Sequence, residues 1–215
     1  MAGCGGDKVV HLGKGKDGGG CPTARVAANE ILWIGDSWIL TPGNQVTDVR
    51  NLARDAGAIG RTDDYVVAAA PAATMATIAT QYDARQAGSI KVKVLILDGG
   101  TWETLNSMGS AMSVMDAANA FSALLANVAS DGTVQHVIYF LPPELPAIYG
   151  VAALRPLVRA ACEGSTVPCH FLDLQPLWAG HPEYTMSNGI LPTEAGAAVV
   201  ADAIWALMQQ NCIAQ

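Results

Sequence analysis

Lysine and arginine are sparse in this chain and nowhere form a run: 12 basic residues stand against 19 acidic ones, for a net charge of −7. That balance excludes an electrostatic grip on nucleic acid or on an anionic membrane surface. Long apolar runs are also missing, so no stretch reads as a bilayer span. No Cys-x-x-Cys pair occurs, which removes the usual signature of a structural zinc or a redox motif. The sequence calls for no cofactor and no metal. Histidine is scarce, with only His11, His136, His170 and His181 available as imidazole bases.

What is present is apolar and small. Hydrophobic residues make up 51% of the 215 residues and charged residues 14%, enough for a full core in one large domain. The first twenty-two residues differ. They are rich in glycine, carry Lys8, Lys14 and Lys16, and show no periodicity, which predicts a flexible tether at 1–22 and a single domain over 23–215. Ala2-Gly3-Cys4 matches the end of a bacterial lipoprotein signal. On that reading Cys4 carries a lipid anchor and the domain is exported, to the periplasm or the cell surface. The competing reading is an incidental cysteine in a leader. Without Cys4 the cysteines number four, as disulfides in an exported protein require. The expected pairs are Cys162–Cys169 across a short loop and Cys21–Cys212 near the two ends.

Five segments read as buried strands: Ile31–Ile34, Tyr65–Ala69, Val92–Leu97, Val134–Leu141 and His170–Leu172. Helical spacing lies between them, as in Val46, Val49, Leu52 and Ala53, in Phe121, Leu124, Leu125 and Val128, and in Val151, Leu154, Leu157 and Val158. A last helix follows Pro192-Thr193-Glu194, an ordinary helix entry. Alternating strand and helix predicts an α/β fold with a mainly parallel sheet covered on both faces.

The run Ile31 to Trp38 carries the most information. A buried strand leads into Gly35-Asp36-Ser37 and so delivers a serine at its C-terminal end, where open parallel sheets bind ligands. This segment resembles block I of the SGNH (GDSL) hydrolases, esterases and lipases with a flavodoxin-like three-layer α/β/α sandwich. The likeness extends over nearly all of the chain after Cys21. Ala69–Met75 follows the second strand, where that family places a glycine. Asp98–Glu103 falls where it carries Gly-x-Asn-Asp. Asn188–Gly196 falls where it carries Asp-x-x-His-Pro.

The resemblance implies a role for each position. Serine attacks an acyl carbon, a histidine takes its proton, and an aspartate orients the ring. The oxyanion is held by the serine N–H, the glycine N–H and the asparagine amide. Ser37 occupies the nucleophile position. Ala72 stands for the glycine and keeps an N–H, with a Cβ that restricts how it is aimed. Within Gly100-Thr101-Trp102-Glu103, Trp102 stands for the asparagine, and an indole does not reproduce the amide's geometry. Asn188 replaces the aspartate and Leu191 the histidine. Loss of the base costs on the order of a million-fold in turnover. Loss of one oxyanion donor costs roughly a hundred- to a thousand-fold.

Two readings follow. In the first, the centre is degenerate, a non-catalytic or very weakly active pseudoenzyme whose pocket holds a small acylated or carbohydrate ligand, with Trp38, Trp102 and Trp178 as candidate walls. In the second, an active ester hydrolase uses Ser37 with His181 as a relocated base, partnered by Glu183. His136 and His170 fall at the wrong end of the sheet, and His11 lies in the tether. Asp36 and Glu103 form a third candidate as a carboxylate pair for acid–base work. The simpler assignments are that Asp36 ties loop amides behind the serine, that Glu103 fills the family's second acidic position, and that His181 bonds within its own loop.

Overall fold

The computed structural model describes residues 26–41 and 45–213. Cys4, Cys21 and the tether lie outside the described residues. Five strands form one all-parallel sheet: β1 Ile31–Ile34, β2 Val66–Val67, β3 Val94–Leu97, β4 His136–Leu141 and β5 Cys169–Asp173, in the order β2-β1-β3-β4-β5. This is the flavodoxin-like order. Its switch point, where the chain passes from the β2 side to the β3 side, lies between β1 and β3.

The central strands form because their residues are apolar on both faces. Every residue of β1 and β3 is buried, as a strand sandwiched between two helical layers must be. The second strand is shorter than the expected Tyr65–Ala69. Ladder pairing covers two residues, while the N–H groups of Ala68 and Ala70 still donate to the carbonyls of Trp33 and Gly35 at 2.8 and 3.1 Å. The third and fourth strands each start two residues later than expected, and the fifth is one residue longer at each end.

Helices α1 Gln45–Asp55, α2 Met75–Gln86, α3 Thr101–Asn106, α4 Ala111–Asp131, α5 Val151–Glu163, α6 Gln175–Trp178 and α7 Glu194–Gln210 complete the chain. α1 packs on α7, and α4 packs on both α2 and α5, which makes two layers. The α4–α5 layer covers the Tyr139 face of the sheet. Phe121 of α4 meets the Tyr139 ring at 4.5 Å, and Arg159 of α5 lies over Phe171. Three caps begin helices where the sequence offers a hydroxyl: Thr74, Ser110 and Thr193 each accept an N–H of the first turn.

The expected Cys162–Cys169 disulfide is present and ties the end of α5 to the start of β5. Cys212 is also disulfide-bonded, and its expected partner Cys21 lies outside the described residues. No described helix is long and apolar enough to cross a membrane.

Candidate functional site

The C-terminal ends of β1 and β3 build the site. After β1 the chain turns at Gly35, whose φ of +153° brings its backbone against the β3 end. A Cβ here would sit 1.7 Å from the Asp98 carboxyl oxygen, so only glycine fits. Gln81 of α2 holds this turn from the side, accepting the Gly35 N–H at 2.9 Å and donating to its carbonyl at 3.2 Å.

Two buried acids stand behind Ser37. Asp98, fully buried at the end of β3, accepts the Asp36 N–H at 2.9 Å. Asp36 accepts the Trp38 N–H at 2.9 Å on one oxygen and the Thr101 hydroxyl at 2.9 Å on the other. Asp36 thus does the tying work of the simpler assignment. Burial first, and the neighbouring Asp36 carboxylate second, push the Asp98 carboxyl well above the usual range. This acid therefore keeps its proton more readily than an exposed one.

Ser37 itself is half-exposed. Its Oγ accepts the N–H of Ala72 at 3.3 Å. Ala72 takes a left-handed conformation, φ +57°, which a residue with a Cβ adopts at a cost of about 1–2 kcal/mol. The left-handed turn thus points the Ala72 N–H at Ser37 Oγ, and the restriction expected from its Cβ is absorbed as backbone strain.

Ser37 opens into a hollow of about 200 Å³. Trp38, Trp102, Leu105, Ile148, Ile190 and Leu191 give it apolar walls, and Asp36, Ser37, Thr101 and Asn188 supply its polar atoms. Leu191, the residue at the histidine position, thus lines the same hollow as the serine. Asn188 faces its own loop, where its Oδ1 accepts the N–H groups of Ile190 and Leu191 at 2.9 and 3.1 Å. That loop is closed by its backbone: Met186 N–H donates to the Leu191 carbonyl at 2.8 Å, and Thr185 bridges Pro192.

Other expected residues fall elsewhere. His181 is exposed and does not line the hollow. Its Nδ1 meets a Glu183 oxygen at 2.8 Å, and its ring stacks on Tyr184 at 4.5 Å. Glu103 also lies outside the lining. One of its oxygens accepts the Met75 N–H at the start of α2, and burial raises its carboxyl above the usual value. Asp36 and Glu103 thus bind different backbone groups rather than each other. Gly100, with φ +84°, precedes α3 and abuts Leu154, where a Cβ would come within 2.8 Å. Trp178 packs on Trp38 at 5.7 Å and lies outside the lining, so it supports a wall without forming one.

No family model matches the sequence, and no curated protein matches it. Solved structures do match. An acetyl xylan esterase, AlAXEase, superposes with a TM-score of 0.66 at 13% identity, covering 82% of this chain and 98% of its own. A family 3 carbohydrate esterase from Clostridium thermocellum gives 0.66 at 16% identity, covering 86% and 98%. A Parabacteroides merdae structure described as a GDSL-like lipase gives 0.66 at 16% identity, covering 89% and 100%. The chain has the SGNH/GDSL hydrolase fold.

Proposed function

We propose that this chain uses the fold of a serine ester hydrolase to bind a short acyl group without hydrolysing it. The observation that carries the reading is that Leu191 lines the hollow beside Ser37, where the fold's chemistry requires an imidazole. Among the described residues, Ser37 Oγ has one hydrogen-bond partner, the Ala72 N–H, which supplies no base. The oxyanion side is better preserved than the base side, so a carbonyl oxygen can still find a donor near Ser37. Six apolar side chains against four polar residues favour an acyl group over a sugar. The volume is close to that of an engineered cavity that takes benzene, and it suits a short chain. The Cys162–Cys169 disulfide supports the further proposal that the domain is exported.

Two measurements test this. A fluorophosphonate probe leaves Ser37 unlabelled, and p-nitrophenyl butyrate turnover equals that of Ser37→Ala. Rapid labelling of Ser37, lost in His181→Gln, would instead establish the relocated-base hydrolase. Hexanoate quenches the fluorescence of half-exposed Trp102, and Trp102→Phe loses that response. A response to xylose and none to hexanoate would assign the hollow to carbohydrate.

A further inference from the structure

The hollow opens through a face without charge. Four segments border it, residues 37–41, 104–115, 145–154 and 184–193, and each supplies at least one lining side chain. None of the four contains Asp, Glu, Lys or Arg, in a chain with 12 basic and 19 acidic residues. The nearest acids are engaged inward: Asp36 holds the Trp38 N–H and the Thr101 hydroxyl, and Glu103 accepts the Met75 N–H. Seven large apolar side chains stand exposed among the described residues, and five of them lie in these segments: Leu40, Met108, Met112, Met115 and Tyr149. Met108 and Met112 are 81% and 75% exposed. Met108 also holds a left-handed backbone, φ +48°, where glycine is the usual residue. An exposed apolar side chain at a strained position gives the isolated fold nothing. Its neighbour Gly109 packs so closely on the next loop that a Cβ there would meet the Tyr149 Cβ at 3.2 Å. Met108 and Tyr149 thus share one ridge, beside the lining residues Leu105 and Ile148.

We propose that this face docks the domain on an electrically neutral lipid surface, with the mouth of the hollow opening onto acyl chains. The inference deepens the acyl-binding reading and rests on it for what the hollow takes. Neighbouring exposed apolar side chains mark a protein or a membrane contact. A stable protein interface needs about 20–30 residues a side, and five protruding side chains around a mouth are too few. A fluid lipid surface asks for no matching shape. Flexible methionines adapt to it, and a tyrosine sits at the level of its headgroups. Every charge carried into lipid would oppose insertion, and these segments carry none. The net charge of −7 disfavours anionic headgroups, so the surface that fits is zwitterionic. Continuity with the hollow also favours lipid over a second copy of this chain. An acyl chain passes from the ridge to Leu105 and Ile148 without crossing water.

The test uses the full chain, produced without acylation so that no lipid at Cys4 does the binding, and phosphatidylcholine vesicles. The chain sediments with the vesicles, and binding holds between about 0.1 and about 1 M sodium chloride, because apolar insertion is not screened. Met108→Gln combined with Met112→Gln lowers partitioning at least about tenfold. Val67→Gln and Ile90→Gln, at exposed apolar positions outside the face, leave it unchanged. Should the glutamine pair disturb its loop, Met108→Gly decides: it relieves the left-handed backbone, keeps the fold, and still weakens binding. No sedimentation, sedimentation with phosphatidylglycerol vesicles alone, loss in high salt, or an equal loss in Val67→Gln overturns the proposal. A dimer in vesicle-free ultracentrifugation that the glutamine pair dissolves assigns the face to a second copy and also overturns it. Hexanoate quenching of Trp102 needs no lipid surface. Its failure with vesicle binding intact strikes the acyl-binding reading, and the reverse pattern strikes only the docking face.

Discussion

On the proposed reading, a histidine placed at position 191 should activate this centre only part of the way. The double variant Leu191→His with Asn188→Asp gives the loop the histidine and aspartate that the resemblance implies. The local backbone should tolerate both changes. Asn188 already accepts the 190 and 191 N–H groups through one oxygen, and a carboxylate accepts them equally while leaving its second oxygen for an imidazole. Leu191 already borders the hollow that Ser37 faces, so a histidine there starts from the correct side. A lost base is worth on the order of a million-fold in turnover, about 8 kcal/mol of barrier. The oxyanion donor still lost at Trp102 removes roughly a hundred- to a thousand-fold. Both the native chain and the double variant lack that donor, so the double variant should hydrolyse p-nitrophenyl acetate up to about 10⁶-fold faster than the native chain and remain roughly a hundred- to a thousand-fold below a complete centre. Its rate should rise with pH through the imidazole range near 6.5, because the neutral ring is the base. Adding Trp102→Asn should yield a further hundred- to thousand-fold. A folded double variant no faster than the native chain would show that position 191 does not serve Ser37. A triple variant within threefold of the double would show that the indole was never the obstacle.

The left-handed turn offers a second check. Ala72→Val should destabilise the fold by about 2 kcal/mol in urea melts, since a β-branched residue resists positive φ, while Ala72→Gly should be neutral or up to about 1 kcal/mol stabilising. Equal melts for the two variants would remove the strain argument. Asp98 sets the pH response. Its native pKa lies above the unfolded value near 3.9, so its stabilising contribution is complete below that pH and falls as pH rises through the native pKa, by up to about 1.4 kcal/mol per pH unit. Asp98→Asn should flatten that limb in denaturation curves at stepped pH, and parallel curves would contradict the assignment. Gly35→Ala places a methyl against the buried Asp98 carboxyl. It should cost about 3 kcal/mol or more, or abolish soluble expression, and a native Tm would refute the close approach.

The strands were legible where burial is two-sided. Ile31–Ile34 and Val94–Leu97 are continuous apolar runs because helices cover both faces. Edge strands blur this signal: β5 is only half-buried, and Asp173 at its end binds Arg155 and Arg159 rather than the core. Helix α2 shows only Met75, Ile78 and Tyr82 on its inner side, too sparse a stripe for periodicity to reveal. The short helices α3 and α6 carry no periodic signal at all.

Within the site, Ser37, Asp36, Trp38, Trp102, Asn188 and Leu191 were readable because parallel strands bring their C-terminal loops to one edge. Asp98 could have been found: an acid ending a buried apolar run and followed by two glycines signals a constrained interior carboxyl. Leu105, Ile148 and Ile190 could not, since which apolar side chain of a loop turns inward depends on contacts distant in sequence. His181 lies in the loop after α6 but outside the lining of the hollow, where Glu183 two residues away holds its ring.

The hairpin from Thr185 to Pro192 holds its shape through main-chain bonds and the Asn188 side chain, and the Leu191 side chain takes no part in those bonds. The seat at 191 is therefore a socket: an exchange of side chain there leaves the loop's bonds in place and alters only the packing of that side chain against the core. An imidazole can be taken up at this position through few substitutions and without passing through an unfolded chain.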